Sequence, residues 1–427
     1  MNRLTSLLQK AMHNKTIVNG SLFSLFSFIG QGISFVLLLL IAKFINPEGY
    51  GYLSLYNSAI MFCGIVIAFS TRGYAQITFF KKEYSLFKKD FTSIIILGVF
   101  SVIILSLVVL VAGDWIGEKM SLSKTILWIV IAVSFFTFIF QLQQDYLRIK
   151  EKVAQFGVYN CLFSLFNFVL TLLFIIYLNQ GWEGRVTAQV ACAFVFGIVS
   201  LIFFLRHSLI DVKSSLGAYK EILIWGIPMI PHAASGWIRQ GIDQYIINYN
   251  YSTYEVGVFS FALNLANIII IIGSAFNSTN SVTQFQILSD STLTDNQKRE
   301  KLNKQMGITS LIYIVSTILV VTSTALLTSL AFPKYVDSIK YVWILSVYAL
   351  GNCIYFNYCN YLFYYSKTKK LMLITFGSSI LHLVLSFSLT GTSLYYTAII
   401  YVISMAVMTI MVAKEANTLL KYNLKEG

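Results

Sequence analysis

"QGIDQYIINYNYSTYEVGVFSFALNLA", residues 240–266, decides the fold because an earlier stretch reads the same way. In "QGISFVLLLLIAKFINPEGYGYLSLYNSA", residues 31–59, the same "QGI" is followed after a loop by a similar run, which sets Gly51 against Gly257 and Ser54 against Ser260. A weaker echo pairs "DYLRIKEKVAQFG" (145–157) with "NYLFYYSKTKKLMLITFG" (360–377). Self-similarity of this kind marks a chain built from an internal repeat. The repeated unit is apolar. Of 427 residues 57% are hydrophobic and 11% charged, and the mean hydropathy of +0.72 excludes a water-soluble globular domain.

Working outward, apolar runs of about 20 residues, each able to cross a hydrocarbon core as a helix, recur along the chain. They predict twelve spans: 18–45, 51–72, 91–112, 125–142, 156–178, 186–205, 222–247, 256–277, 308–330, 339–365, 371–390 and 394–413. The runs lack the alternation of an outer-membrane barrel, so the fold class is all-α, an integral membrane protein. Six helices per half is an even number, so both halves enter the membrane in the same direction. The expected architecture is two pseudo-symmetric six-helix bundles, residues 1–210 and 211–427, around a central cleft.

The formal charge of +13 raises nucleic acid as a partner, but the placement of the basic residues points to topology instead. Lys and Arg alternate by connection. The two terminal segments and the even-numbered connections carry 24 of the 31; the other side has Lys43, Lys119, Lys124, Arg185, Lys334 and Lys340. By the positive-inside rule both termini are cytoplasmic. The first apolar run is too long for a signal-peptide core and has no small-residue cleavage site, so it is expected to be retained.

Polar residues at steps of three or four stripe several spans: Ser21, Ser24, Ser27, Gln31 and Ser34 in the first; Asn160, Ser164, Asn167 and Thr171 in the fifth. Ser260, Asn264 and Asn267 stripe the eighth, and Thr375, Ser379, His382 and Ser386 the eleventh. Each stripe reads either as helix packing or as the lining of a hydrated cavity. Arg239 and Asp243 are an ionisable pair one turn apart inside the seventh span, on a face shared with His232. Charge at that depth costs about 2.5–3.5 kcal/mol per residue on insertion scales, so it faces protein or water. The pair is either an ion pair tethering helices or a site for an anion or a coupled ion. Pro228 and Pro231, two of only four prolines, are either a hinge or a helix start. Lys43 and Arg72 either snorkel to the interface or add positive potential to the cleft.

Local motifs for catalysis are missing. There is no GxxxxGK[ST] phosphate loop, no HExxH and no Gly-x-Ser-x-Gly elbow, and the four histidines are scattered at 13, 207, 232 and 382. Cys63, Cys161, Cys192, Cys353 and Cys359 have no metal-ligand spacing and read as small apolar residues. The chain is expected to be neither an enzyme nor a metalloprotein.

"INPEGYGYLSLYNSAIMF" (45–62), "YLRIKEKVAQFGVYN" (146–160), "GWEGRVTAQ" (181–189), "WGIPMIPHAASGWIRQGIDQYII" (225–247), "FPKY" (332–335) and "YLFYYSKTKK" (361–370) together resemble the Wzx-type polysaccharide flippases. Those belong to the multidrug/oligosaccharidyl-lipid/polysaccharide (MOP) exporter superfamily. The resemblance covers nearly the whole chain. It implies a V-shaped transporter in the bacterial inner membrane that turns an undecaprenyl-pyrophosphate-linked oligosaccharide, an O-antigen or capsule repeat unit, from the cytoplasmic to the periplasmic leaflet. It also implies a cationic cavity, coupling to H+ or Na+ with no other cofactor, and as partners membrane lipids and polysaccharide polymerase and chain-length proteins.

A pyrophosphate needs fixed positive charge and donors, and sugars need polar side chains. The candidate binding set is Arg239, Asp243, Gln31, Arg72, His232, Asn57, Asn264 and Lys43, with Pro228 and Pro231 as hinge. The sequence departs from the family where Asp-Arg is common and Asp243-Gln244 stands here. The alternatives are a multidrug or cation antiporter of the same superfamily, a lipid II flippase, or a polytopic O-antigen polymerase or ligase. The first would want cavity carboxylates, the second more helices, and the third a long outer loop.

Overall fold

The structure, a computed structural model, describes residues 15–211 and 216–424, so Arg3, Lys10, Lys213 and Lys425 of the basic count lie outside the described residues. Among the described residues every regular element is helical. The chain forms two compact units, Met1–Ile45 with Ala59–Ala233, and Asn46–Ser58 with Ala234–Gly427. Sequence order alone divides the chain at 210; the compact units instead place 46–58 in the second and 211–233 in the first.

The first unit holds α1 (Lys15–Phe44), the later part of α2 (Pro47–Ala68), α3 (Arg72–Lys81), α4 (Tyr84–Met120), α5 (Lys124–Ile149), α6 (Val153–Leu172), α7 (Gly181–Arg206) and α8 (Leu216–Gly226). The second holds the start of α2, most of α9 (Ile230–Gln240), α10 (Ile242–Asn250), α11 (Thr253–Ser289), α12 (Asp295–Ala331), α13 (Ile339–Tyr364), α14 (Thr368–Leu389) and α15 (Leu394–Asn423). Among the described residues eleven stretches are long and apolar enough to cross a membrane, and they match eleven of the twelve expected spans.

The remaining span, 222–247, is helical but broken twice. Pro228 lacks an N–H, and a 3-10 turn at Ile227–Met229 separates α8 from α9. Pro231 is the second residue of α9, where a missing donor costs nothing. The second break is at Gly241, whose carbonyl accepts a hydrogen bond from Ser58 Oγ at 2.8 Å. Trp237 Nε1 donates to the Ser58 carbonyl at 3.1 Å, so a helix interrupted in an apolar environment still has its polar groups met.

Apolar burial drives little association in lipid, so the helices meet through small and hydroxyl residues. Among the glycines of the described residues, the two matched in the sequence have the tightest surroundings. A Cβ on Gly51 would fall 1.9 Å from the Thr253 carbonyl oxygen, and one on Gly257 would fall 1.7 Å from that of Pro47. Thr253 precedes Gly257 by four residues as Pro47 precedes Gly51. That reciprocity is what a local two-fold axis between two copies of one motif produces.

The stripes of the fifth and eleventh spans also pack. Asn160 on α6 donates to the Phe26 carbonyl of α1 at 2.8 Å, and Ser379 on α14 donates to the Ser235 carbonyl of α9 at 3.2 Å. Thr375, Ser379, His382 and Ser386 are all buried. In the first span, by contrast, Ser24, Gln31 and Ser34 are exposed, and nothing is described of the Ser21 side chain.

Between α2 and α3 the chain turns through two residues in the left-handed region, Phe69 (φ 43°) and Ser70 (φ 55°). Gly226 at the end of α8 rests against the Phe69 carbonyl, where a Cβ would stand 2.5 Å away. At the same end Lys82 bonds Asp90 at 2.8 Å and Glu221 of α8 at 2.6 Å, which ties α8 to the first unit.

Candidate functional site

Asp243 lies in the first turn of α10, where the helix dipole favours negative charge, and is fully enclosed. Its Oδ2 is 2.8 Å from Nε2 of His382, on α14 and 139 residues away. The other ring nitrogen, Nδ1, is 2.9 Å from Ser404 Oγ on α15. Ser404 Oγ also reaches the Tyr401 carbonyl at 3.2 Å. This allows two satisfied protonation states. A neutral imidazole donates to Asp243 and accepts from Ser404; an imidazolium donates to both, with Ser404 turned to the Tyr401 carbonyl. The Tyr401 ring packs edge-on against the imidazole at 4.9 Å. Asp243 Oδ1 and the Tyr401 hydroxyl are both buried without a hydrogen-bond partner, so the cluster retains polar capacity.

One-turn spacing leaves Arg239 and Asp243 as either an ion pair or a ligand site, and the ion pair is not formed. Among the described residues no carboxylate lies within 4 Å of the Arg239 guanidinium, whose Nε donates to the Ser235 carbonyl at 3.3 Å and whose Nη1 meets Met408 Sδ at 2.8 Å. Two causes combine. The helix is broken at Gly241 between the two residues, so the one-turn spacing no longer enforces a shared face, and α14 brings an imidazole to the carboxylate. Thioether sulfur and a backbone carbonyl are weak company for a half-buried cation.

Around them Gln240 Nε2 donates to the Tyr348 hydroxyl at 3.2 Å, and Gln244 Oε1 accepts from Ser260 at 2.6 Å. Asn264 is half-buried and donates to the Tyr50 hydroxyl at 2.9 Å, while Asn57 is exposed. These belong to the second unit. Gln31, Lys43, Arg72 and His232 belong to the first, with Gln31, Lys43 and His232 exposed. Arg72 is held at the end of α5 by Asp145 (2.6 Å) and Gln141 (2.7 Å). Pro228 and Pro231 take the places described for the first break.

Asp243 is the one carboxylate within the expected apolar runs, and packing encloses two more at the ends of such runs. Asp145 and Asp90 are 2% and 3% exposed within α5 and α4. Their signal was weak because both fall at the polar end of an apolar run. His382 was visible as the one titratable member of the eleventh stripe, but nothing local tied it to Asp243. Among the described residues no three His, Cys, Asp or Glu side chains group as metal ligands would.

Helices of membrane-spanning length in two units, with an enclosed carboxylate on a broken helix, define a multi-pass helical membrane protein. Solved structures agree: an inward-facing multidrug resistance MATE family transporter of the MOP superfamily superposes with a TM-score of 0.73 at 15% identity, covering 91% of this chain and 94% of that one. A MOP superfamily transporter from Pyrococcus furiosus, described as having a binding pocket of reversed polarity, gives a TM-score of 0.61 at 15% identity over 96% of each chain. The chain belongs to the polysaccharide biosynthesis protein family, whose model matches residues 17–282. "Lsg locus putative protein 1" of Haemophilus influenzae is 24% identical over 377 residues, covering 85% of this chain and 88% of the relative. "Capsular polysaccharide biosynthesis protein CapF" of Staphylococcus aureus is 22% identical over 277 residues, covering 64% and 66%.

Proposed function

We propose that the chain is a flippase that carries an undecaprenyl-pyrophosphate-linked oligosaccharide from the cytoplasmic to the periplasmic leaflet of a bacterial inner membrane, by alternating access of its two bundles. The observation that carries this reading is Arg239, a guanidinium within a membrane helix with no carboxylate beside it among the described residues. A cation at that depth is costly unless something meets it, and a passing pyrophosphate offers paired anionic oxygens to its donors. The polar side chains Asn57, Asn264 and Gln31 suit sugar hydroxyls, and the prenyl chain can stay in lipid. Lys43 would add positive charge, whereas Arg72 is already engaged by Asp145 and Gln141.

Coupling would run through Asp243 and His382, and the donor set favours a proton. Sodium seeks several oxygen ligands, whereas this carboxylate faces an imidazole nitrogen. Protonating the ring would turn Ser404 to the Tyr401 carbonyl and change the net charge of the enclosed pair. The 3-10 turn at Pro228 and the start of α9 at Pro231 would be the hinge through which α9 responds. The reading as a cation exporter is weaker because Asp243 is already engaged.

The test is to delete the gene in its host and ask on which leaflet the lipid-linked repeat unit collects. The cytoplasmic leaflet is expected; collection on the periplasmic leaflet would overturn the proposal and point to a polymerase. At the site level, Arg239→Ala should insert normally yet fail to restore polysaccharide, and full restoration would remove Arg239 from the mechanism.

A further inference from the structure

One cavity outside this site has the features of a ligand-binding groove. It lies in the first unit where α6 begins and α7 ends, with a volume of about 670 Å³, and is lined among others by Gln155, Val158, Ile202, Phe203, Arg206 and His207. Its mouth is basic. Arg206 is exposed and, among the described residues, makes no ion pair or hydrogen bond through its guanidinium. His207 stacks on Phe203 with ring centroids 4.0 Å apart and holds the Phe203 carbonyl through Nδ1 at 2.9 Å. With Nδ1 committed in that way, Nε2 is the remaining polar atom of the ring. Lys150 and Lys152 flank Glu151 in the turn that leads into α6, so that turn carries a net positive charge beside the groove.

Its walls are apolar and continue into the membrane-facing surface. On α6 Val158, Leu162, Phe166 and Val169 recur at three- and four-residue spacing and are 37–56% exposed, and Ile202 on α7 is 44% exposed beside them. A basic mouth at a helix-end boundary above an exposed aliphatic stripe complements one kind of molecule, with an anionic phosphate on top and acyl chains below. We propose that this groove binds an anionic phospholipid of the leaflet at the basic end, its phosphodiester held by Arg206 and His207 and one acyl chain laid along Val158 and Leu162. The occupant is a resident lipid rather than the transported one: the groove is built within a single unit, so a lipid seated there needs no rearrangement of the two units to be held.

The full-length protein purified in detergent can be titrated with phosphatidylglycerol or phosphatidylethanolamine and read by native mass spectrometry. Phosphatidylglycerol should saturate one site at least about tenfold more tightly than phosphatidylethanolamine. Arg206→Ala with His207→Ala should abolish that preference; both side chains are exposed, so folding is not at issue. Val158→Trp should block binding with the charge intact. Lys88→Ala with Lys89→Ala, which removes two charges at the same end away from the groove, should leave it unchanged. Equal binding of the two lipids, retention in the Arg206 and His207 double variant or in Val158→Trp, or an equal loss in the Lys88 and Lys89 variant would each overturn the proposal. So would undecaprenyl phosphate displacing phosphatidylglycerol at lower concentration, which would make the groove a cargo site.

Discussion

Replacing His382 with alanine should cost far more when Asp243 is present than when it is not. Both side chains are fully enclosed and 2.8 Å apart. Removing the imidazole leaves a carboxylate with no exposure, with its hydrogen bond to Nε2 gone and Oδ1 already without a partner. Breaking a buried pair on one side costs about 3–5 kcal/mol, or between two and nearly four orders of magnitude in the folding equilibrium. In an Asp243→Asn background no charge remains to be stranded. His382→Ala then loses one neutral hydrogen bond and some packing, about 1–3 kcal/mol. Asp243→Asn by itself keeps an acceptor for Nε2 and should be mild in stability. The four proteins of this cycle can be compared by unfolding in detergent, and the penalty for His382→Ala should fall by about 2 kcal/mol in the asparagine background. Equal penalties would show that the pair carries no buried charge and would remove the electrostatic basis for coupling. In proteoliposomes Asp243→Asn should lose the response to an imposed pH gradient; an unchanged response would refute the coupling role directly.

At the glycine crossing, Gly257→Ala places a methyl group 1.7 Å from a backbone oxygen and should destabilise by about 1–3 kcal/mol, whereas Gly307→Ala, with open space around it, should be neutral or stabilising in the same melt. Ser70→Gly should stabilise by about 1 kcal/mol, because glycine relieves the left-handed φ of 55° and removes a buried hydroxyl without a partner; a loss of stability would show that Ser70 holds the turn. Glu221 is held below the ordinary glutamate range by its hydrogen bonds from Lys82 and Tyr74, so its contribution is present above that range and fades as pH falls through the lowered value. Since its side chain is 59% exposed, screening keeps the contribution below about 1 kcal/mol, and the stability gap between wild type and Glu221→Gln should close in acid. A gap independent of pH would mean that the carboxylate does not act through charge.

Much of the architecture was legible along the chain. A helix meets its own backbone hydrogen bonds, so twenty apolar residues in lipid specify a span without reference to any other part of the molecule. The match of Gly51 to Gly257 is likewise a local pattern, and the reciprocal crossing of those glycines follows from the repeat. The site was legible in part. Arg239 and Asp243 are conspicuous because charge is rare in such runs, but spacing alone could not decide whether they pair, since one turn implies proximity only in an unbroken helix.

The sequence by itself therefore determined the helical class, the number of apolar runs and the position of the charges that lipid would resist. Only the tertiary structure decided what those charges meet. Asp243 is answered by His382 from 139 residues away and Arg72 by Asp145 from 73, and the Gly241 carbonyl, at the break in the seventh run, takes a hydrogen bond from Ser58, 183 residues away. A hydrogen bond acts over about 3 Å in space whatever the separation in sequence, so these partners could be known only once the helices were packed.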